Sequence, residues 1–383
     1  MGKQTVCSRW ARLRHSRADP RCNLACGYCQ VSRVNENTPG FDWDEATLEV
    51  VLKFLDSLTT KRLKVEFQGG EPLLRLDLLE GDRAFCRQRF EHAECVVCTN
   101  LQLLGPAEWD FISAVDTHVS TSLDADREIH KHQRTVTDVR TEEFFQNLRR
   151  VTSELGSSKL SALPTLDIRN LPEPVSVIAS FTSHGMRSIF FEARKLSRIR
   201  EEAVSGAEER EKVERLSFVF IDAVVEYNWT ALEPIEEYYL VHCLRRVLRA
   251  GHNRHSDLRN PNILGDSYLV IDHDGVFHPT DEARMVSRIG QIDLSMGNLR
   301  TGLDRSLLTA LNQAYCGVDL VDDLSRYGRI DLPKNLTDFC QRHTHIFDKV
   351  FELIYSEDPK VQKSVAIWAG MPEFDTALAK VHS

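Results

Sequence analysis

The chain has 383 residues, 42% of them hydrophobic and 27% charged, with a net charge of −9 and a pI of about 5.9. That length suits one large α/β domain or a barrel with an appendage, and the acidic balance argues against a nucleic-acid partner. No hydrophobic signal core opens the chain and no apolar run is long enough to span a bilayer, so a cytoplasmic location with no membrane partner is expected.

Residues 1–21 are Arg-rich ("SRWARLRHSR") and show no clean period, so they read as an irregular basic segment. Three cysteines follow in "CNLACGYC", Cys22, Cys26 and Cys29, in the spacing C-x3-C-x2-C. The ten cysteines of the chain are too few for a disulfide scaffold of this length, and clustered thiols point to metal or redox chemistry. Three thiolates in one loop can hold an iron–sulfur cluster while leaving one iron without a protein ligand. The alternatives are a zinc knuckle or unrelated thiols; a zinc knuckle needs a fourth ligand nearby, for which His15 is the near upstream candidate, and no Cys or His follows Cys29 until Cys86.

Beyond the loop, "DEATLEVVLKFLDSL" places Leu48, Val51, Leu52, Leu55 and Leu58 on one helical face, with Asp42 and Glu45 as a candidate capping box. Then come "LKVEF" as a strand, a Gly-Gly turn, and a helix after Pro72. "ECVVCTN", "THVSTSL", "LSALPTL" and "RSIFFEA" read as strands, with "PAEWDFISAV", "TEEFFQNLRRVTSEL" and "EPVSVIASFTSHG" as the helices between them. Alternation at this spacing implies right-handed βαβ units in a parallel sheet, whose functional loops follow the strand C-termini. Cys95 and Cys98 form a C-x2-C, but in a strand these positions face opposite sides, so core packing is expected there. Cys86 and Cys243 fall in helical stretches and read as small core residues. His130 and His132 read as exposed positions at a helix start. After residue 195 the rhythm stops in a run of mixed charge, expected to be a solvated helix or linker. "EYYLVHCLRRVLRAG" is a helix and "YLVIDHDGVFHPT" a hairpin about Asp274-Gly275.

The cysteine loop, with Tyr28 before its third Cys, resembles the signature of the radical S-adenosylmethionine (radical SAM) superfamily. "FQGGEPLL" (67–74) is similar to that superfamily's glycine-rich motif, and "SLDADREIHKHQR" (122–134) to the fourth-strand segment of its maturase branch. The resemblance implies a partial (β/α)6 TIM-type barrel over 22–205 and a smaller α+β, SPASM/twitch-like extension over 206–383. It implies that Cys22, Cys26 and Cys29 hold three irons of a 4Fe–4S cluster whose fourth iron takes SAM. Gly69 and Gly70 would let backbone approach SAM, and Glu71 would accept from its ammonium. Ser122 would bond the ribose or carboxylate, Arg134 would pair with the carboxylate, Tyr28 would lie along the adenine, and Asn100 could reach the same pocket. The chemistry implied is reductive cleavage of SAM to a deoxyadenosyl radical that abstracts hydrogen.

"CGYCQVSRVNEN" and above all "PTDEARM" (279–285) resemble the His-Xaa-Ser system radical SAM maturases. This implies a peptide or small protein substrate and a reducing partner such as flavodoxin or ferredoxin. Asp281, Glu282 and Arg284 are candidates for substrate contact or proton transfer. The extension keeps Cys316 and Cys340, but the C-x2-C expected before them is missing, so an auxiliary cluster is expected to be degraded or absent. A small-metabolite substrate, or a non-catalytic metal-binding descendant, is the alternative reading.

Overall fold

The structure is a computed structural model. It describes residues 11–16, 21–27, 29, 33–39, 41, 43–167, 172–191, 193–194, 207–249, 268–288, 290–304, 323, 327–329 and 332–371. Tyr28, Asp42 and Cys316 lie outside the described residues. The chain packs as two compact units: Met1–Thr121, Arg134–Leu160 and His255–Gly328 form the first, and Ser122–Gln133, Ser161–Arg254 and Arg329–Ser383 the second.

Strand β1 (Ala11–Ser16) lies at the middle of the first unit's sheet. It pairs in parallel with β2 (Arg62–Gln68), from Ala11↔Leu63 to Ser16↔Gln68. Within the basic N-terminal segment, residues 11–16 thus form a strand. The run Ala-Arg-Leu-Arg-His-Ser alternates with period two, as a strand requires, and its backbone is laddered on both sides. On one side β2 continues to β3 (His92–Cys98) and β4 (Thr117–Thr121), all parallel. Leu160–Ala162 then continues the strand order past β4. On the other side β1 pairs in parallel with β5 (Tyr268–Ile271), which carries the antiparallel β6 (Phe277–His278). Residues expected in the C-terminal extension thus complete the sheet that β1 begins.

The strands interleave with helices that bury one face. In α1 (Glu45–Asp56), Val51 and Leu55 are fully buried, and the cap is Asp44, whose side chain accepts from Thr47 N at 2.7 Å. In β2 the alternation is clean: Leu63, Val65 and Phe67 are buried, and their neighbours half-buried. Helices α2 (Leu76–Arg89), α3 (Pro106–Ser113) and α4 (Asp138–Glu154) follow in turn. Cys95 is buried and Cys98 half-buried on β3, while Cys86 is buried on α2. These three thiols fill core or strand positions, as the period-two argument expects.

In the second unit, α5 (Ala207–Thr230) begins inside the charged run of the sequence. Short parallel pairs join Ser188–Ile189 to Glu236–Glu237 and Leu166–Asp167 to Ala193–Arg194. Helix α6 (Tyr238–Leu248) is capped by the buried carboxylate of Glu237, which accepts from Leu240 N and Phe191 N. It packs on α8 (Asp338–Tyr355). Cys243 lies buried on α6, and Cys340 half-buried on α8. Between these helices the Tyr239 hydroxyl bonds His343 Nε2. His343 Nδ1 lies 2.9 Å from Phe339 O, which only accepts, so the imidazole proton sits on Nδ1 and Tyr239 donates.

Candidate cofactor and substrate site

Parallel strands end on one side of their sheet, so Gln68, Cys98 and Ile271 bring the loops that follow them to a common edge. The cysteine loop lies against one of these. Glu71 N donates to Arg21 O at 3.0 Å, and Gly70 is pressed beneath the loop. A Cβ at Gly70 would stand 2.2 Å from Arg21 O and 2.9 Å from Cys22 Cβ, so only glycine fits there. Gly69 has φ +156°, close to the extended range open to other residues.

Cys22 is buried; Cys26 and Cys29 are half-buried. Leu24 N points at Cys22 Sγ at 3.4 Å, and Cys29 N closes a turn on Cys26 O at 3.2 Å. Burial pushes the Cys22 thiol up to about 12, and Glu71 and the other two thiols add to the effect. Cys22 by itself therefore resists ionisation, and a metal such as iron is the partner this donor set calls for. The Asn100 side chain donates to Asn23 Oδ1 at 2.7 Å and points at Cys22 Sγ at 3.6 Å. Asn100 thus braces the cysteine loop from the end of β3.

Glu71 is engaged at both carboxylate oxygens. It is fully buried, with Oε2 accepting from Asn100 N at 2.8 Å and Oε1 from Leu73 N at 3.0 Å. Burial raises its carboxyl to about 7, against the pull of those amides. Its carboxylate ties the glycine loop to the end of β3, and each oxygen keeps a further lone pair beyond its amide contact.

Ser122 follows the last residue of β4 and is half-buried. Arg134, also half-buried, lies in a wide turn of helix over Lys131–Thr135. His132 is exposed as expected, but His130 is buried, with Nδ1 3.5 Å from Asp124 N. Two non-glycine residues adopt left-handed backbone just past strand ends: Leu101 (φ +57°) after β3 and Ala125 (φ +64°) after β4. Such conformations cost on the order of 1–3 kcal/mol each and gather at functional loops.

Of the "PTDEARM" candidates, Glu282 is exposed and Arg284 is 2% exposed. Both lie with Asp281 on α7 (Asp281–Arg288), the helix that follows β6 in the first unit. Asp281 accepts from the Tyr268 hydroxyl at 3.1 Å. The Gln68 amide, oriented to satisfy both groups, donates to its Oδ2 at 3.1 Å and Oδ1 at 3.3 Å. Gln68 and Tyr268 were not singled out by any motif. The available signal was position, because Gln68 ends a strand immediately before the Gly-Gly turn. Nearby, Arg288 grips Asp272 through Nε (3.0 Å) and Nη2 (2.9 Å). The Asp272 carboxyl lies at about 2: burial pushes it up, but the His273 hydrogen bond and the charges of Arg288 and Arg284 outweigh that. Trp43 Nε1 donates to Asp272 O at 3.1 Å, fixing the loop to the chain before α1.

Among the described residues, the trio of His, Cys, Asp or Glu side chains whose ligand atoms all lie within 4.8 Å of one another is Asp272, His273 and Asp274. Arg288 already neutralises Asp272 there. Sulfurs around one tetrahedral zinc, with Zn–S of about 2.3 Å, would stand within about 4 Å of one another. The three cysteines do not form such a tight trio among the described residues. The fit to a cluster thus rests on the donor set, its spacing and the glycine cradle.

Residues 19–166 match the radical SAM superfamily, and this stretch is a radical SAM domain. The uncharacterized protein MJ0907 of Methanocaldococcus jannaschii is 30% identical over 106 residues, which are 27% of this chain and 35% of the relative. The chain therefore matches about a third of that relative's length. The fold is similar to that of native anSMEcpe with bound AdoMet (TM-score 0.64, 16% identity, 97% of this chain and 99% of that one). It is also similar to native anSMEcpe with bound AdoMet and Cp18Cys peptide (TM-score 0.62, 17% identity, 89% and 96%). At those identities the likeness is one of fold: an α/β chain built on the partial TIM-type radical SAM sheet. No helix among the described residues is long and apolar enough to cross a membrane.

Proposed function

We propose that the protein is a radical SAM enzyme that modifies a peptide or small protein. Cys22, Cys26 and Cys29 would hold a 4Fe–4S cluster, and SAM would lie over Gly69 and Gly70. Bound there, the two cofactors would supply one-electron cleavage of SAM and a radical able to abstract hydrogen from an unactivated C–H bond. The observation that carries the reading is the junction of Gly70 with Arg21 and Cys22, which leaves no room for a Cβ.

The chain's own residues then have distinct tasks. Asn100 and Glu71 hold the cysteine and glycine loops in register. Ser122 and Arg134 are the candidate contacts to the ribose and carboxylate of SAM. Asp281, held by Tyr268 and Gln68, is the candidate to take a proton from the substrate. The peptide class is supported by the "PTDEARM" resemblance and by the peptides bound in similarly folded anSMEcpe structures. A flavodoxin or ferredoxin would deliver the electron in the cytoplasm. The reading carries no auxiliary cluster, because the sequence keeps Cys316 and Cys340 but lacks the C-x2-C expected before them.

Anaerobic reconstitution with iron and sulfide, reduction, and addition of SAM should give deoxyadenosine. Cys26→Ala should reduce it at least a hundredfold. Equal traces from both proteins would overturn the assignment.

A further inference from the structure

Arg284 is charged and buried, and its hydrogen-bonding capacity is largely unmet. It is 2% exposed. Its Nε and Nη1 are buried and make no hydrogen bond, and Nη2 lies 3.8 Å from Asp281 Oδ1, beyond hydrogen-bond length. Arg288, one turn along the same helix, shows the contrast, because its fork is filled by Asp272. Asp281 does not depend on Arg284, because Tyr268 and Gln68 already donate to its oxygens. A guanidinium removed from water with donors unfilled is costly, and the cost falls when an anion joins it.

The surroundings define the anion. His278 is 4% exposed, its Nδ1 is also buried without a hydrogen bond, and the ring lies within the electrostatic reach of Arg284. The donor set is thus a planar fork and an imidazole, both suited to oxygen acceptors. Arg284 and Arg288 face Asp281 and Asp272, so a singly charged group meets less repulsion there than a phosphate dianion would. Gln68, which donates to Asp281, is half-buried, as is Asp281, and Gln68 immediately precedes the Gly69–Gly70 loop.

We propose that Arg284 receives a carboxylate of the substrate beside the glycine loop, supplied by an acidic side chain or by a C-terminus. The inference rests on the peptide reading above and goes further by specifying the chemistry the peptide must carry. It makes Arg284 a binding residue of this site.

Three acetylated alanine-based tripeptides separate the sources: one amidated, one with a free C-terminal acid, and one amidated with a central Glu. Each is titrated calorimetrically into the full-length protein at 0.15 M salt. One of the two acidic peptides is expected to bind wild type at least tenfold more tightly than the neutral one, and which does so identifies the source. Arg284→Gln should abolish the preference. Arg284→Lys keeps the charge but not the fork and should lose at least threefold of it, so the test survives if the Gln variant fails to fold. No binding, equal binding of all three peptides, or a preference unchanged in the variants would overturn the inference. Deoxyadenosine formation from SAM without peptide, measured on the same preparation, reports separately on the enzyme reading.

Discussion

Gly70 shows how much of the site rests on a missing side chain. The space a methyl group would need is filled by Arg21 O and the Cys22 Cβ. Overpacking of this kind costs about 1–3 kcal/mol, and here backbone must move to relieve it. Gly70→Ala is therefore expected to displace the first ligand of the cysteine loop while leaving the sheet folded. Reconstituted protein should hold less than half the wild-type iron with an unchanged far-ultraviolet circular dichroism spectrum. Full iron content would show that the loops are less tightly coupled than this. Glu71, its neighbour, makes a different prediction. Its folded carboxyl, at about 7, lies above its ordinary value of 4.5. Between those values the folded state keeps a proton that the unfolded state releases, so its contribution to stability is present below about 4.5 and is lost as pH rises towards 7. Glu71→Gln removes that dependence, and its NH2 group faces a backbone donor, an unmet pairing worth about 1–3 kcal/mol. Urea unfolding should find the variant's deficit greatest near pH 5 and smaller near pH 7.5. A deficit constant with pH would reject buried Glu71 as the source.

At the scale of elements, β1 carries the sharpest test. It is flanked by β2 and β5, so both edges of its backbone are in the ladder. A proline there removes a donor from a central strand, a change of about 3 kcal/mol or more. Leu13→Pro should abolish soluble expression, whereas Leu13→Val, which suits a strand, should be tolerated; a well-folded Leu13→Pro protein would contradict the central placement. β1 was also the element least legible in the sequence. Its arginines masked the alternation, and partners as distant as Tyr268 are invisible to local periodicity. Helix α1 was legible from its apolar spacing, but the cap expected at Asp42 is found at Asp44. The cysteine loop and the Gly-Gly-Glu stretch were legible because their residue types and spacing are demanded by the chemistry. The tie between Glu71 and Asn100 N, 29 residues on, was not legible, because no local pattern links the two loops. His130 was misread for a related reason: a polar residue at a helix start looks exposed until the strands around it are placed.

At the scale of the whole molecule, the two units are interlaced in sequence. The chain passes between them after Thr121, Gln133, Leu160, Arg254 and Gly328, so neither unit is a continuous segment. This bears on where function can be separated from fold. Residues 1–254 contain the cysteine loop, the glycine loop, Asn100, Ser122 and Arg134, and would pass for a self-sufficient catalytic half. They lack β5 and β6, which complete one side of the sheet. Without β5 the backbone of β1 loses its partner across Arg12–Arg14 and becomes an open edge, the kind of surface that templates aggregation. The fully buried run Tyr268–Ile271 goes with it, and so does the loop through which Asp272 accepts from Trp43. Expression of residues 1–254 is therefore expected to give aggregated protein, or a monomer without a cooperative unfolding transition, seen by size-exclusion chromatography and thermal circular dichroism. A soluble, cooperatively unfolding fragment that binds as much iron as the full chain would show that the C-terminal strands are an addition to the sheet. The pairing of β1 with both β2 and β5 argues that they are part of it.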